Sequence, residues 1–201
     1  MTHPTFLPNG FDLDLAARHA AGLLEALGIP CDSESTAETP RRMAKALAEL
    51  TAGVHLDPAR HLAVTFPPEG ERPGVIAAVN VPFVALCEHH VLPFPGRATV
   101  AYLPKPGARI VGLSKLARIV QEYAARPQVQ ERLGRQVVEA LVDHLQVDGA
   151  ACLIRSQHAC MTLRGARAHD AAMVTTHLAG SMGSDAAQRA EVLALMPTTL
   201  S

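Results

Sequence analysis

The apolar positions divide the chain into two stretches with different periods. Over residues 13 to 27, Leu13, Ala16, Ala17, Ala20, Leu23, Leu24 and Leu27 recur at the three-and-four spacing of one helix face, and Gly28-Ile29-Pro30 stops the run. A second helix is expected to open at Thr39-Pro40, with Thr39 as N-cap and Pro40 in the first turn, and to end near Gly53. Residues 57 to 74 are rich in Pro, Gly and charge and read as a connecting loop. That places a boundary between an N-terminal helical region with its linker, 1–74, and a second unit, 75–201.

From Val75 the period shortens. Val75-Ile76-Ala77-Ala78-Val79-Asn80-Val81 and Ala98-Thr99-Val100-Ala101-Tyr102 read as two strands. Leu116, Ile119, Val120 and Tyr123 then stand at i, i+3, i+4 and i+7, one apolar helix face. Pro127 divides this helix from another that aligns Val129, Leu133, Val137, Leu141 and Leu145. Two further strands are expected near 150–156 and 173–178, and a short last helix over 185–195. The order strand, strand, helix, helix, strand, strand, without internal repeat, is an α+β layout: two helices against one face of a four-stranded antiparallel sheet.

A chain of 201 residues can bury a substantial core, and with 48% hydrophobic residues, 3% aromatics and no Trp, aliphatic side chains must fill it. A net charge of −1 excludes general attraction to nucleic acid or a membrane surface, so an anionic ligand needs a local cluster of base. No apolar run approaches the roughly 18 residues of a membrane span, and Met1-Thr2-His3-Pro4-Thr5-Phe6 lacks the basic and apolar regions of a secretory signal. Four Cys make no disulfide framework, and a reducing cytoplasm is expected.

The chemistry gathers in two places. Cys87-Glu88-His89-His90 is answered far along the chain by His158-Ala159-Cys160. Thiolates and imidazoles at this short spacing are what a zinc ion needs to tie two segments together. Cys87 and His90 can reach one ion from a turn, Cys160 can supply a third ligand, and His89 and His158 then lie beside it. Three protein ligands leave one tetrahedral position open, as in catalytic zinc sites that activate water. A fourth ligand, for which His89 is the nearby candidate, would make the ion structural instead. Cys152, inside an apolar run, reads as a small buried hydrophobe, and Cys31 as packed or solvated.

The second place is Gly112-Leu113-Ser114-Lys115-Leu116-Ala117-Arg118. Free N–H groups at a helix start, the helix dipole, Lys115 and Arg118 together make a phosphate site, although basic residues on a helix face are more often simply solvated. Arg164 could add a third cation near the metal, and Arg42 a fourth. Gln130-Glu131 is either a helix-favourable first turn or a carboxylate that accepts two N–H groups from a purine edge and so selects guanine.

These motifs together resemble the zinc-dependent GTP cyclohydrolase I family, over residues 87 to 180. The resemblance rests on Cys87-Glu88-His89-His90, the run from Val111 to Val120, Arg126-Pro127-Gln128-Val129-Gln130-Glu131-Arg132-Leu133, His158-Ala159-Cys160 with Arg164-Gly165, and Glu38-Thr39-Pro40-Arg41-Arg42-Met43-Ala44. It implies the tunnelling fold, and a homodecamer of two stacked pentameric rings with active sites between subunits. The reaction implied is hydrolysis of GTP to formate and 7,8-dihydroneopterin triphosphate, the first step of folate and related pterin biosynthesis. Zn2+ would be held by Cys87, His90 and Cys160 and would activate water against C8 of guanine. The resemblance makes His158 the proton donor to N7 and gives His89 and Ser114 the later ribose steps. Lys115, Arg118, Arg164 and Arg42, the last from a neighbouring subunit, would neutralise the triphosphate, and Gln130 and Glu131 would hold the guanine edge. Ala85, Ala171 and Met173 stand where Ser, Ser and Thr are common in the family. Two further readings remain at this point. One is a non-catalytic zinc- and nucleotide-binding regulatory or scaffold subunit. The other is a secondary-metabolism paralogue with the same reaction.

Overall fold

The computed structural model describes residues 10–70 and 73–198, so the run 1–6 read above for a signal lies outside the described residues. Helix α1 (Leu13–Ala26) is capped by Asp12, whose carboxylate accepts from the Leu15 N–H at 2.8 Å, and it stops where Gly28 takes a positive φ of 70°. Helix α2 (Thr39–Leu50) starts one residue earlier than its sequence suggests. Glu38 is the N-cap residue and Thr39 already belongs to the helix, because the preceding Ser33–Thr36 turn feeds the chain into it through the bond from Thr39 N–H to Thr36 O. The two helices pack mainly on each other.

The stretch expected to be a loop is partly ordered. Pro58–Ala63 forms a 3₁₀ turn that buries Ala59 and Leu62 in the main core, and β1 (Thr65–Phe66) pairs with β4 (Ile110–Val111). Its Pro and Gly content hid a segment whose few apolar side chains have a groove to fill. Arg60 and His61 both bond the Glu122 carboxylate, which fastens this turn to the helix that follows β4.

The main sheet is formed by β2 (Ile76–Cys87), β3 (Pro93–Pro104), β6 (Val147–Ser156) and β7 (Met173–Gly180), antiparallel in that order. Both of the first two strands run several residues beyond the expected spans, through Pro82, Pro93 and Pro95. Proline is tolerated because each lies where one side of the strand is unpaired: β6 reaches β3 only from Gly96 onward. A bulge at Asn80, with φ 55°, shifts the register between Ala78 and Val81.

Helices α3 (Leu113–Ala124) and α4 (Gln130–His144) cover one face, α3 over β2 and α4 over β6 and β7. Leu116, Ile119, Val120, Leu133, Val137 and Leu141 are fully buried against Phe94, Val100, Tyr102, Cys152 and Ile154. The β-β-α-α-β-β order is therefore the expected one, with two additions. Between α3 and α4, β5 (Pro127–Gln128) pairs in parallel with the end of β2, Leu86 opposite Pro127 and Cys87 opposite Gln128, making a fifth strand. On the opposite face, short α6 (Ser181–Ser184) and α7 (Ala186–Leu193) cover part of the sheet through Met182 and Val192. Asp185 caps α7 by accepting from Gln188 N–H.

Candidate active site

The first ligand segment is a tight turn between β2 and β3. The Cys87 carbonyl accepts from the N–H groups of His90 and Val91, while Cys87 N–H donates to Leu92 O. Val91 pays for this closure with φ 55°, a left-handed conformation that a β-branched residue rarely adopts. The turn folds the His90 ring back onto the cysteine: Nδ1 lies 3.7 Å from Cys87 Sγ. The second segment follows β6, where helix α5 (Ala159–Thr162) begins and carries Cys160. Ligand atoms of Cys87, His90 and Cys160 all lie within 4.8 Å of one another.

These distances fit one tetrahedral ion. Metal–sulfur and metal–nitrogen bonds typical of zinc would put Sγ and Nδ1 about 3.6 Å apart at the tetrahedral angle. Cys160 is raised above the ordinary thiol value by burial first, then by the hydrogen bond and charge of Cys87, with the Arg164 guanidinium pulling it down. A bound cation would reverse that penalty and favour both thiolates. His89 is not part of this group. Its Nδ1 is 3.9 Å from Cys87 Sγ, but its side chain is 65% exposed, and its Nε2 is 3.8 Å from the Glu88 carboxylate. Among the described residues, the cluster offers three side chains that could hold a metal ion.

A cavity of about 220 Å³ adjoins these ligands and is also lined by His89, Glu131, His158 and Met173. The His158 ring stacks on buried Phe94, with centroids 4.3 Å apart and planes 7° apart, and its Nε2 lies 3.1 Å from Gln130 Oε1. Burial holds this imidazole below the ordinary histidine value, and the Glu131 carboxylate pulls the other way. Glu131, in the first turn of α4, is exposed toward the cavity.

Gln130, expected at a guanine edge, stands at the cavity wall. Its side chain is fully buried, and its amide is spent inside the protein: Nε2 faces Ile154 O, Met173 O and Thr175 Oγ1, while Oε1 accepts from Ser156 Oγ. Successive helix residues point about 100° apart, so Glu131 opens onto the cavity while Gln130, at the cavity wall, turns its amide into the sheet.

The cations are more dispersed. Arg164 is close enough to Cys160 to act on its thiol. Ser114, Lys115 and Arg118 stand on the first turns of α3, with Ser114 and Arg118 exposed, and do not line the cavity. Arg42, on α2, bonds Ser35 O in its own chain and is not brought to the cavity. A larger hollow of about 400 Å³ lies elsewhere, between α1 and α2, and is apolar.

Sequence reasoning missed three residues that build the site. The Arg132 guanidinium bonds Glu88 of the ligand turn, Pro127 O and Gln128 Oε1, and Gln128 also bonds Tyr123 O and Gln136. With Glu88 N–H donating to Gln128 O, this network clamps the ligand turn onto the start of α4. All three lie inside the motifs quoted above, but local pattern gave them no task, since charge on a helix such as that of Arg132 normally reads as a solvated face.

Comparison with known proteins agrees with the motifs. A family model described as GTP cyclohydrolase I matches residues 16–197. A protein of Dehalococcoides mccartyi named GTP cyclohydrolase 1 is 41% identical over 186 residues, covering 92% of this chain and 97% of its own. Others of that name are 43% identical in Halalkalibacterium halodurans (87% of this chain, 91% of the relative) and 44% identical in Rhodopirellula baltica (87% and 74%). Among solved structures, an archaeosine synthase QueF-Like in the apo form aligns with a TM-score of 0.44 at 14% identity, over 54% of this chain and 95% of that one.

Proposed function

The chain belongs to the GTP cyclohydrolase I family and carries that family's hydrolase activity, and from this premise we propose how its residues divide the work. Cys87, His90 and Cys160 hold a zinc ion, the metal that a soft sulfur and imidazole donor set with tetrahedral spacing suits. When bound, zinc supplies Lewis acidity that makes water nucleophilic at neutral pH. The observation that carries the reading is the meeting of this ligand set with His158 and Glu131 on one cavity.

The side chains then have distinct tasks. The Glu131 carboxylate accepts the N–H groups of guanine, which orients C8 toward the ligand cluster and rejects adenine, whose edge offers no matching donors. His158 gives a proton to N7 as the C8–N bond of the imidazole ring breaks, a role for which a half-buried imidazole is suited. Phe94 keeps its ring in one plane. Hydrolysis of the resulting formamide releases formate. His89, exposed at the rim, and Ser114 serve the later rearrangement to 7,8-dihydroneopterin triphosphate. Lys115, Arg118, Arg164 and Arg42 receive the triphosphate.

One chain holds only part of this site. Its cavity of about 220 Å³ is smaller than the ~300–1,000 Å³ of ordinary small-molecule sites, and five of the proposed substrate groups, Ser114, Lys115, Arg118, Arg164 and Arg42, do not line it. This supports a site completed between subunits, and the resemblance implies a homodecamer of two pentameric rings for that assembly. The outer edge of β7 and the apolar hollow between α1 and α2 offer surface for self-association. Paired reduced thiols suit the cytoplasm. No helix among the described residues is long and apolar enough to cross a membrane.

The test is the reaction itself. Zinc-loaded protein with GTP should release one formate per pterin formed, and His158→Ala should keep its zinc while formate release falls by about 100-fold or more. Full formate release by that variant would remove His158 from the proton-transfer role.

A further inference from the structure

Gln130 makes a set of contacts that its neighbourhood leaves no freedom to exchange. On the Nε2 side lie two backbone carbonyls, Ile154 O at 3.3 Å and Met173 O at 3.2 Å, and the hydroxyl of Thr175 at 3.1 Å. Carbonyl oxygens only accept, so the NH2 group must face them; a flipped amide would set its own oxygen against both. The opposite end of the side chain is therefore oxygen, and oxygen only accepts. Ser156 Oγ donates to it, and His158 Nε2 lies 3.1 Å from it. An imidazole nitrogen facing an acceptor must carry the hydrogen.

From this we infer that Gln130 is a positioning residue that holds His158 in the Nε2–H tautomer and leaves Nδ1 as the nitrogen that exchanges a proton with substrate. The inference rests on the reading of His158 as proton carrier and adds which atom carries the proton and what selects it. Nδ1 has no hydrogen-bond partner among the described residues, so nothing within the chain competes for it. Gln130 links two strands to the imidazole: the carbonyls of β6 and β7 orient the amide, and the amide orients the ring. Phe94 adds the plane, and Gln130 adds the rotation within it. A glutamine does this without adding a charge beside the ring. A carboxylate in its place would meet the same two carbonyls with no hydrogen to offer.

The experiment is nitrogen NMR on zinc-loaded protein carrying 15N,13C-labelled histidine, at a pH where the ring is neutral. The His158 signals are identified by their loss in His158→Asn. A protonated Nε2 and a bare Nδ1 are expected; a protonated Nδ1 with a bare Nε2 overturns the inference. Gln130→Met, which keeps length but removes the acceptor, should yield a mixture of tautomers and lower kcat by about tenfold, ~1.4 kcal/mol, with KM little changed. Ser156→Ala removes only the second donor to the same oxygen and should keep the wild-type tautomer. A Gln130→Met spectrum identical to wild type also overturns the inference. Should that variant fail to fold, the wild-type spectrum decides alone. The outcomes separate from those of the wider reading. An inactive His158→Asn alongside a protonated Nδ1 refutes only the assignment to Gln130, whereas full formate release by His158→Asn refutes the proton-carrier role whatever the tautomer.

Discussion

Phe94 and His158 lie face to face, 4.3 Å between ring centroids and 7° from parallel, although they come from β3 and from the loop after β6. The contact joins the core to the chemistry. Phe94 is fully buried and also meets Phe83 edge-on at 6.2 Å, so the imidazole rests on a floor that cannot tilt.

Replacing that floor should loosen the ring without touching the ligand set. Phe94→Leu is expected to lose about 1 kcal/mol of aromatic contact, roughly fivefold in the population of the oriented ring. The fall should appear in kcat, with zinc content unchanged. Equal kcat in the variant would show that stacking does not orient His158.

Metal removal should be visible in the thiols themselves. Chelation is expected to abolish formate release and to expose two additional fast-reacting cysteines, Cys87 and Cys160, to a thiol reagent. Cys152, fully buried and pushed up to about 12, should stay unreactive until the protein unfolds. Added zinc should restore both protection and turnover. Unchanged thiol counts after complete chelation would contradict the proposed ligands.

Gly134 gives α4 its close approach to β7. A Cβ there would collide with His177 Cδ2 and lie 3.2 Å from Cγ. Gly134→Ala gains about 1 kcal/mol of helix propensity but overpacks this contact at a cost of about 1–3 kcal/mol. A net loss is expected in urea unfolding. His177→Ala in the same chain should recover it, a coupling that a double-mutant cycle measures. A lone Gly134→Ala more stable than wild type would refute the tight contact.

Acid should weaken the fold beginning in the histidine range. Burial holds both His158 and His177 below the ordinary value of 6.5, while Glu131 opposes it in each case. The unfolded chain then takes up protons that the folded chain refuses. Stability is whole above the ordinary value and is lost as pH falls through it, until the folded-state imidazoles also protonate. The urea midpoint should therefore decline below about pH 6.5, and His177→Gln should flatten the decline. An unchanged slope in His177→Gln would remove His177 as a contributor.

Much of this was present in local pattern. The period of Leu116, Ile119, Val120 and Tyr123 places α3 because a helix repeats its face every few residues, and those residues do line the core or pack against it. The donor types of Cys87, His90 and Cys160 were equally legible, since only a few side chains bind a transition metal and their spacing within a turn is geometric. Segment 58–66 was not: its order comes from Leu62 finding a groove and Glu122 receiving two side chains, neither of which its own residues announce.

The sequence by itself determined the main helices and strands and which side chains can bind metal, phosphate or a proton, because those properties belong to residues and their near neighbours. Tertiary structure alone decided how these are aimed. Parallel pairing of Pro127 and Gln128 with Leu86 and Cys87 brings the start of α4 to the ligand turn, and Arg132 locks it there. The side on which each residue of the Gln130-Glu131 pair falls depends on the sheet beneath, whose carbonyls claim the glutamine and leave the carboxylate facing the cavity. Hydrogen-bond partners far along the chain select that orientation, and no local pattern records them.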